Sequence, residues 1–356
     1  MKILLIGEFS GVHNNLKNGL IALGHDVKLA ADGDGYRNFE YDYQVAPYKG
    51  RFLGKFMNIF YFLFNFRKFI GFDVIQFINP FSIPYIYHYV GLIHLIFKFN
   101  KNKVYYVCGT DPAFLNSEKK FKYFPFDDHN SVEYPNYKLC HTKYCNWLIK
   151  HMDMIIPSMY SYYVGYSDNN KTTKPVPLPG NSIIEKNNFS SSNTKLQILF
   201  GITRRNVKGA QYILDALERI KTEFHDKVDV KIVEKLDFKS YIRLLKYSDI
   251  LIDQCKSYDY GMNAINAMEN GLIVLSGFEK EAINYLKIKN NPIINIIPDS
   301  TQIYSKIKEL INLSSFEIQS AKVDSYRYVK KHHDLKVIST KFIDHYLKIT
   351  NSNNVK

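Results

Sequence analysis

Cysteine and tryptophan are scarce in this chain of 356 residues, which contains four cysteines and one tryptophan. The cysteines form neither a CxxC pair nor the framework of a small disulfide-rich domain; they are Cys108, Cys140, Cys145 and Cys255. Such thiol usage is typical of a protein that stays in a reducing compartment. We therefore predict a cytoplasmic protein.

Long apolar runs are absent too, since no stretch reaches the roughly 18 to 20 apolar residues that a membrane-spanning helix needs. The apolar run over residues 1–7 turns polar too early for a signal peptide, so we interpret it as a first strand. The chain also lacks a helix-turn-helix signature, an RNP motif and zinc-finger spacing. We therefore expect no membrane-spanning helix and no nucleic-acid partner.

Acidic residues are in deficit, with 34 against 47 lysines and arginines and a formal net charge of +13. This excess favours an anionic partner, such as a membrane surface or a phosphorylated small molecule. The segment Arg51–Lys68 has no acidic residue and interleaves Phe, Tyr, Leu and Met with Arg and Lys. A helix with basic ends and an aromatic body is typical of a segment in the lipid headgroup region, and the alternative is a buried helix. We predict peripheral binding of Arg51–Lys68 to the anionic inner face of the membrane.

Alternating apolar runs and helical segments indicate an α/β fold. A strand over residues 2–7, a helix over about 14–23 and a further strand follow one another with short links, which is βαβ order. The Ser10–Gly11 turn ends the first strand, where open α/β sheets bind ligands, although it lacks the GxGxxG pattern. His13 either contacts a ligand there or caps the helix, and both alternatives stay open.

A second loop at a strand end, Cys108–Pro112, contains a glycine and the carboxylate of Asp111. Its position makes Asp111 a candidate for substrate binding. His129, His141 and His151 lack ligand spacing with carboxylate or thiol support, so no metal site is predicted.

The length predicts two domains, because a single core rarely extends to so many residues. Residues 167–195 are rich in Asn, Lys, Pro, Ser and Thr and mark the boundary. We predict a first domain over 1–170, a linker over 171–195, a second domain over 196–320 and closing helices over 321–356.

The second half places basic residues at a strand end. Arg204, Arg205 and Lys208 follow the predicted strand 196–201 and precede a helix. Cations beside a helix N-terminus can neutralise a diphosphate, and the competing interpretation is a solvated basic loop.

A strand–turn–helix segment over residues 248–276 supplies the other half of a phosphate site. A buried strand leads into the turn Tyr260-Gly261-Met262, which opens a helix with Ile265 and Met268 on its apolar face. Because the first amides of a helix are unpaired, this turn can cradle a phosphate. An ordinary α/β crossover without a ligand is the alternative.

Together these motifs resemble the GT-B glycosyltransferases of family 4. The resemblance rests on Lys208-Gly209, on VEKL at Val233–Leu236, on SDILIDQ at Ser248–Gln254 and on YGMNAINAMENG at Tyr260–Gly271. The tail Ser325–Lys348 is similar to the closing helices of that family. The resemblance implies two Rossmann-like domains facing across a cleft, with a C-terminal helix crossing back to the N-terminal domain.

The resemblance also implies a function and its residues. It implies retaining, metal-independent transfer of a hexose-type sugar from a nucleoside-diphosphate sugar, which is a donor substrate, so no cofactor is expected. Arg205 and Lys208 would hold the diphosphate and stabilise the leaving group. The predicted substrate- and nucleotide-binding residues are Gly11, His13, Asp111, Arg204, Glu234, Leu236, Tyr260, Gly261, Met262, Asn263 and Asn266.

The chain departs from the family pattern in its glutamates. The family usually has two, eight positions apart around the YG turn, where this chain has Tyr258 and Asn266. Asn266 can still hydrogen-bond a ribose hydroxyl but carries no charge.

The expected acceptor is a lipid-linked or polysaccharide intermediate of cell-surface glycan synthesis, reached at the inner membrane face. Two alternatives stay open at this point. One is a nucleotide-sugar epimerase of the same fold, and the other is a non-catalytic GT-B-like binding protein.

Overall fold

The computed structural model describes residues 1–50, 52–127, 142–181 and 194–354. Arg51, His129 and His141 lie outside the described residues. The chain divides into two compact units. The first comprises Met1–Asn116, Asn136–Pro179 and Leu335–Lys356, and the second comprises Ser117–Pro135 and Gly180–Asp334.

The first unit is built on a six-stranded parallel sheet with the order β3-β2-β1-β4-β5-β6. Its inner strands are almost continuously apolar because helices cover both faces of such a sheet. The strands are β1 (Lys2–Ile6), β2 (Asp26–Ala31), β3 (Tyr43–Gln44), β4 (Val74–Phe77), β5 (Asn102–Val107) and β6 (Met154–Pro157).

Helices flank this sheet, and the last one comes from the end of the chain. They are α1 (Val12–Ala22), α2 (Leu53–Phe64), α3 (Ile86–Tyr89), α4 (Leu92–Lys98), α5 (Pro112–Asn116), α6 (Thr142–Lys150), α7 (Tyr160–Tyr166) and α15 (Leu335–Asn354). On α15, the ring of Phe342 meets Tyr106 edge-on, with 4.9 Å between centroids. The predicted return of a C-terminal helix to the N-terminal domain is therefore confirmed.

The second unit is built on a five-stranded parallel sheet with the order β11-β10-β9-β7-β8. Its strands are β7 (Leu196–Ile202), β8 (Val228–Glu234), β9 (Ile250–Ile252), β10 (Ile273–Ser276) and β11 (Ile294–Asn295). Its helices are α8 (Arg205–Lys208), α9 (Ala210–Glu223), α10 (Phe238–Lys246), α11 (Met262–Glu269), α12 (Lys280–Leu286), α13 (Ser300–Ile311) and α14 (Ser315–His332). The predicted pair of Rossmann-like α/β domains is confirmed.

The units differ from the predicted domain limits in two places. Ser117–Pro135 belongs to the second unit, although it falls inside the predicted first domain. Helix α14 also belongs to the second unit, where Lys322 forms a buried ion pair with Asp249 at 2.5 Å. Of the predicted closing helices, α15 alone joins the first unit. Residues 182–193 of the predicted linker lie outside the described residues.

Candidate functional site

The basic loop, which holds Arg204, Arg205 and Lys208, lies at the carboxyl end of β7, and its two arginines are exposed. The Arg204 guanidinium lies 5.6 Å from the ring centroid of Phe126. Arg205 donates to the carboxylate of Glu234 at the end of β8. Side-chain exposures of 56% for Arg205 and 42% for Glu234 make this a surface ion pair. The structure thus joins two of the predicted site residues in a contact that solvent screens.

Lys208 is different, because its side chain is buried. Its Nζ donates to the Gly201 carbonyl at 2.8 Å and to Asp253 Oδ1 at 2.9 Å. Asp253 Oδ1 also accepts from Asn263 Nδ2 at 2.8 Å. Two predicted residues, Lys208 and Asn263, therefore meet through a buried carboxylate that the sequence interpretation had not assigned. The sequence did contain a sign of this carboxylate, because Asp253 directly follows the apolar strand β9.

The turn that precedes α11 lies at the carboxyl end of β9, next to β7 in the sheet. The Cys255 amide donates to the Lys208 carbonyl at 3.0 Å and so ties this loop to the basic loop. Gly261 is the N-cap of α11 without a side-chain cap, and a Cβ there would meet nothing within 4 Å. The side chain of Met262 is buried, so its available group at this helix end is the backbone amide. The turn predicted to bind a phosphate and the predicted basic loop therefore lie at one edge of one sheet.

Tyr260 points into the second unit. Its buried hydroxyl is 2.8 Å from the Tyr328 hydroxyl and 2.8 Å from His333 Nε2. The side chain of Tyr260 thus fixes the turn to α14, and only the backbone of this residue is left for the predicted phosphate contact. Leu236, in contrast, is exposed at the end of β8, beside Glu234.

Helix α11 carries two buried acceptors without a hydrogen-bond partner among the described residues, Asn266 Oδ1 and Glu269 Oε2. Asn266 occupies the position predicted to contact the ribose. Glu269 accepts from the Asn181 amide through its other oxygen at 2.7 Å. Burial raises the pKa of Glu269 to about 8, against the smaller lowering effects of that hydrogen bond and of Lys330.

The loop after β1 is the corresponding edge of the first unit. Gly11 has φ 85°, a left-handed conformation that suits glycine, and is the N-cap of α1. Glu8 is buried, and its Oε2 accepts from the Asn14 amide at 2.7 Å and from Asn14 Nδ2 at 3.1 Å. Its Oε1 has no partner in the described part of the chain. Burial raises the pKa of Glu8 to about 7. The sequence interpretation missed Glu8, although an acid directly after a strand was a usable signal.

His13 neither reaches the surface nor caps α1, so neither open alternative is what the structure shows. Its Nδ1 is 2.7 Å from the Gly7 carbonyl, and its Nε2 is 3.1 Å from Gln76 Nε2. The Tyr346 hydroxyl on α15 donates to Gln76 Oε1 at 2.7 Å. Burial lowers the pKa of His13 to about 3, so the ring is neutral and completes a hydrogen-bond chain from α15 to the β1 loop.

Asp111 is fully buried. It accepts from the hydroxyls of Tyr105 at 2.5 Å and Tyr166 at 2.8 Å, and from the Phe114 amide at 2.9 Å. Three donors satisfy both oxygens of a carboxylate that no solvent reaches, and burial raises its pKa. The structure places Asp111 in the core, where it anchors the start of α5. In the described part of the chain, no group of three or more His, Cys, Asp or Glu is arranged to hold a metal ion.

Helix α2 presents aromatic side chains to solvent. Phe52 and Phe64, which flank and end the helix, are 83% and 89% exposed, and Phe56 and Phe60 between them are more than half exposed. Phe62 is buried and holds the opposite face of the helix against the core. Within the described ranges, no helix is long and apolar enough to cross a membrane. The exposed aromatic face does not fit the alternative of a buried helix.

Neither a known protein family nor a curated protein sequence matches this chain. Membership in glycosyltransferase family 4 therefore stays a prediction.

Solved structures match the chain along nearly its whole length. Sucrose-phosphate synthase from Thermosynechococcus elongatus matches with a TM-score of 0.68 and 13% identity, covering 99% of this chain and 100% of that one. HepE from Anabaena, solved with UDP and glucose, matches with a TM-score of 0.61 and 11% identity, covering 97% of this chain and 98% of that one. WaaG, a glycosyltransferase involved in lipopolysaccharide biosynthesis, matches with a TM-score of 0.58 and 14% identity, covering 97% of this chain and 99% of that one. These neighbours are GT-B glycosyltransferases, and the chain has their fold.

Proposed function

We propose that the protein is a retaining glycosyltransferase that transfers a hexose-type sugar from a nucleoside-diphosphate sugar to a lipid-linked or glycan acceptor. It would need no metal ion and no cofactor besides the donor. The second unit would bind the donor, and the first unit would bind the acceptor. The observation that carries the proposal is the shared edge of β7 and β9, where the loop with the exposed arginines follows one strand and the turn into α11, which has no side-chain cap, follows the other.

The chemistry follows from this arrangement. The bond between the sugar and the diphosphate breaks, and the oxygen of an acceptor hydroxyl bonds to the sugar and loses its proton to the leaving phosphate or to water. The leaving nucleoside diphosphate gains negative charge. Arg205 can turn from Glu234 to that charge, because exposed ion pairs contribute only about 0.2–1 kcal/mol. The amides at Met262 and Asn263 supply fixed dipoles for the same phosphates.

Incubation with a panel of UDP- and GDP-sugars and candidate acceptors should release the nucleoside diphosphate. Arg205→Ala should lower kcat/KM by roughly 100-fold, because it removes a cationic donor to the developing charge. Arg243→Ala, at an exposed position on α10, is the matched control and should keep full activity. Full activity of Arg205→Ala would refute the assignment, whereas turnover that needs no acceptor would indicate an epimerase.

We propose further that α2 binds the inner membrane face, where a lipid-linked acceptor resides. The exposed aromatic residues form one patch, with rings of Phe52 and Phe56 stacked at 6.5 Å and Phe56 and Phe60 tilted at 6.1 Å. Arg67 and Lys68 follow the helix with exposed side chains, and Lys55 on the helix donates to the Tyr85 hydroxyl at 2.8 Å. Exposed cations close in the chain to an aromatic patch can attract anionic lipid.

Vesicle co-sedimentation tests this surface. The protein should bind vesicles of phosphatidylcholine with phosphatidylglycerol, and Phe56→Ser with Phe60→Ser should weaken binding by about tenfold or more, since burial of each ring contributes on the order of 1.5–3 kcal/mol at most. The control is Phe316→Ser, which removes an even more exposed ring from α14. Equal binding of both variants would contradict a role for α2.

A further inference from the structure

Residues 121–127, here called the strap, lie on the strand-end edge of the second unit. The strap contacts the loops that follow three neighbouring strands of the sheet, β7, β9 and β10. Phe126 stacks on Arg204 after β7, Asp127 pairs with Lys256 after β9, and Tyr123 donates to Glu279 after β10. The strap therefore covers the edge at which the donor diphosphate would bind.

The first half of the strap is anchored by neutral and aromatic contacts. The Lys122 amide donates to the Tyr258 hydroxyl at 3.0 Å, and the Phe121 and Tyr123 rings lie 4.9 and 5.2 Å from the Tyr258 ring. Tyr258 is buried beneath them. These contacts hold the strap on the second unit and bring Asp127 to Lys256 in the loop after β9.

Lys256 packs against the end of the basic loop and precedes the turn at Gly261 in the sequence. A Cβ on Gly209 would fall 2.9 Å from Lys256 Cγ, so the lysine stem packs against the end of the basic loop. The neighbouring Cys255 amide bonds to the Lys208 carbonyl, and Gly261 follows five positions after Lys256. The lysine is therefore held by the fold, whichever anion it meets.

The anion that Lys256 meets in this structure is Asp127, with 2.5 Å between Nζ and Oδ1. The two side chains differ in exposure, at 13% for Lys256 and 42% for Asp127. The lysine is nearly enclosed, whereas the carboxylate borders on solvent and can leave at low cost. A diphosphate carries more charge than one carboxylate and can take its place. Lys208 offers no such exchange, because both of its partners are buried.

We propose that Lys256 is a further phosphate-binding residue of the donor site and that Asp127 is its exchangeable counter-ion, displaced when a nucleoside diphosphate binds. The inference rests on the proposed function and deepens it. Asp127 competes with the ligand for one cation, so the strap sets the affinity of the site.

Calorimetric titration of the full chain with UDP, at fixed ionic strength, tests the exchange. Asp127→Asn should tighten UDP binding by about three- to tenfold, and Lys256→Gln should weaken it by about tenfold or more. In the Lys256→Gln background, Asp127→Asn should no longer change the affinity. Uridine, which has no phosphate, should bind wild type and Asp127→Asn equally.

The matched control is Glu223→Gln, which removes one carboxylate from the ion pair of Glu223 with Lys308 in the same unit. It should leave the affinity for UDP unchanged. The exchange is overturned if Asp127→Asn does not tighten binding, or if its gain persists without Lys256. If no variant binds UDP while all remain folded by circular dichroism, the proposed function fails as well. Binding by Asp127→Asn alone would support both.

Discussion

Replacing Lys208 with methionine should lower the free energy of unfolding of the second unit by about 3–5 kcal/mol at pH 7, the typical cost of leaving one partner of a buried ion pair uncompensated. The substitution keeps an unbranched side chain one atom shorter and leaves Asp253 buried with polar neighbours but without a cation. Urea-induced unfolding, followed by circular dichroism, measures the loss.

The control is Arg205→Met, which removes an exposed cation three positions earlier and should cost less than about 1 kcal/mol. A double variant, Lys208→Met with Asp253→Leu, should recover most of the stability because no charge is then left buried. Equal stability of the two single variants would contradict the buried-pair assignment. The comparison also matters for the function. If a Lys208 variant loses activity, the loss can come from weaker substrate binding or from unfolding, and the stability measurement separates the two.

The second large effect is a stability that depends on pH through Glu269. Its pKa is about 8 in the folded chain, above the ordinary value of 4.5, so the folded state holds the proton more tightly than the unfolded chain. The resulting stability is complete below the unfolded pKa and is lost as pH rises through about 8. Glu269→Gln removes the titration, so its advantage over wild type should grow by about 4 kcal/mol between pH 4.5 and 9.

Denaturant unfolding at several pH values measures this growth. Glu8→Gln in the first unit should behave alike, with a gain of about 3 kcal/mol completed near pH 8, because the pKa of Glu8 is about 7. The same substitution at Glu218, exposed on α9, is the matched control. A pH-dependent gain of equal size at Glu218, or none at Glu269, would contradict burial as the cause.

The local pattern of the sequence was sufficient to predict the architecture. Short apolar runs separated by helical segments allow few topologies, because βαβ links keep neighbouring strands parallel. The carboxyl ends of such strands lie at one edge, so the basic loop after β7 and the turn before α11 could be expected to meet. The structure has both loops at that edge, joined by the hydrogen bond from Cys255 to Lys208.

The partner of each charged group could not be predicted in this way. Lys208 and Asp253 are 45 positions apart, and Arg205 and Glu234 are 29 positions apart. Lys208 and Arg205 lie in the same short basic loop, yet the pair of Lys208 with Asp253 is buried and the pair of Arg205 with Glu234 is exposed. Burial of a charged side chain depends on which distant elements cover it. The apolar periodicity of the sequence does not say which elements these are.

The sequence by itself thus determined the two α/β sheets, the position of the basic loop and the aromatic composition of α2, because these depend on residues close together in the chain. The tertiary structure alone decided that Asp111 and His13 lie in the core, that Glu8 is a buried acid and that the strap belongs to the second unit. Those outcomes rest on contacts between distant segments, whose desolvation and hydrogen bonding exist only once the chain has folded.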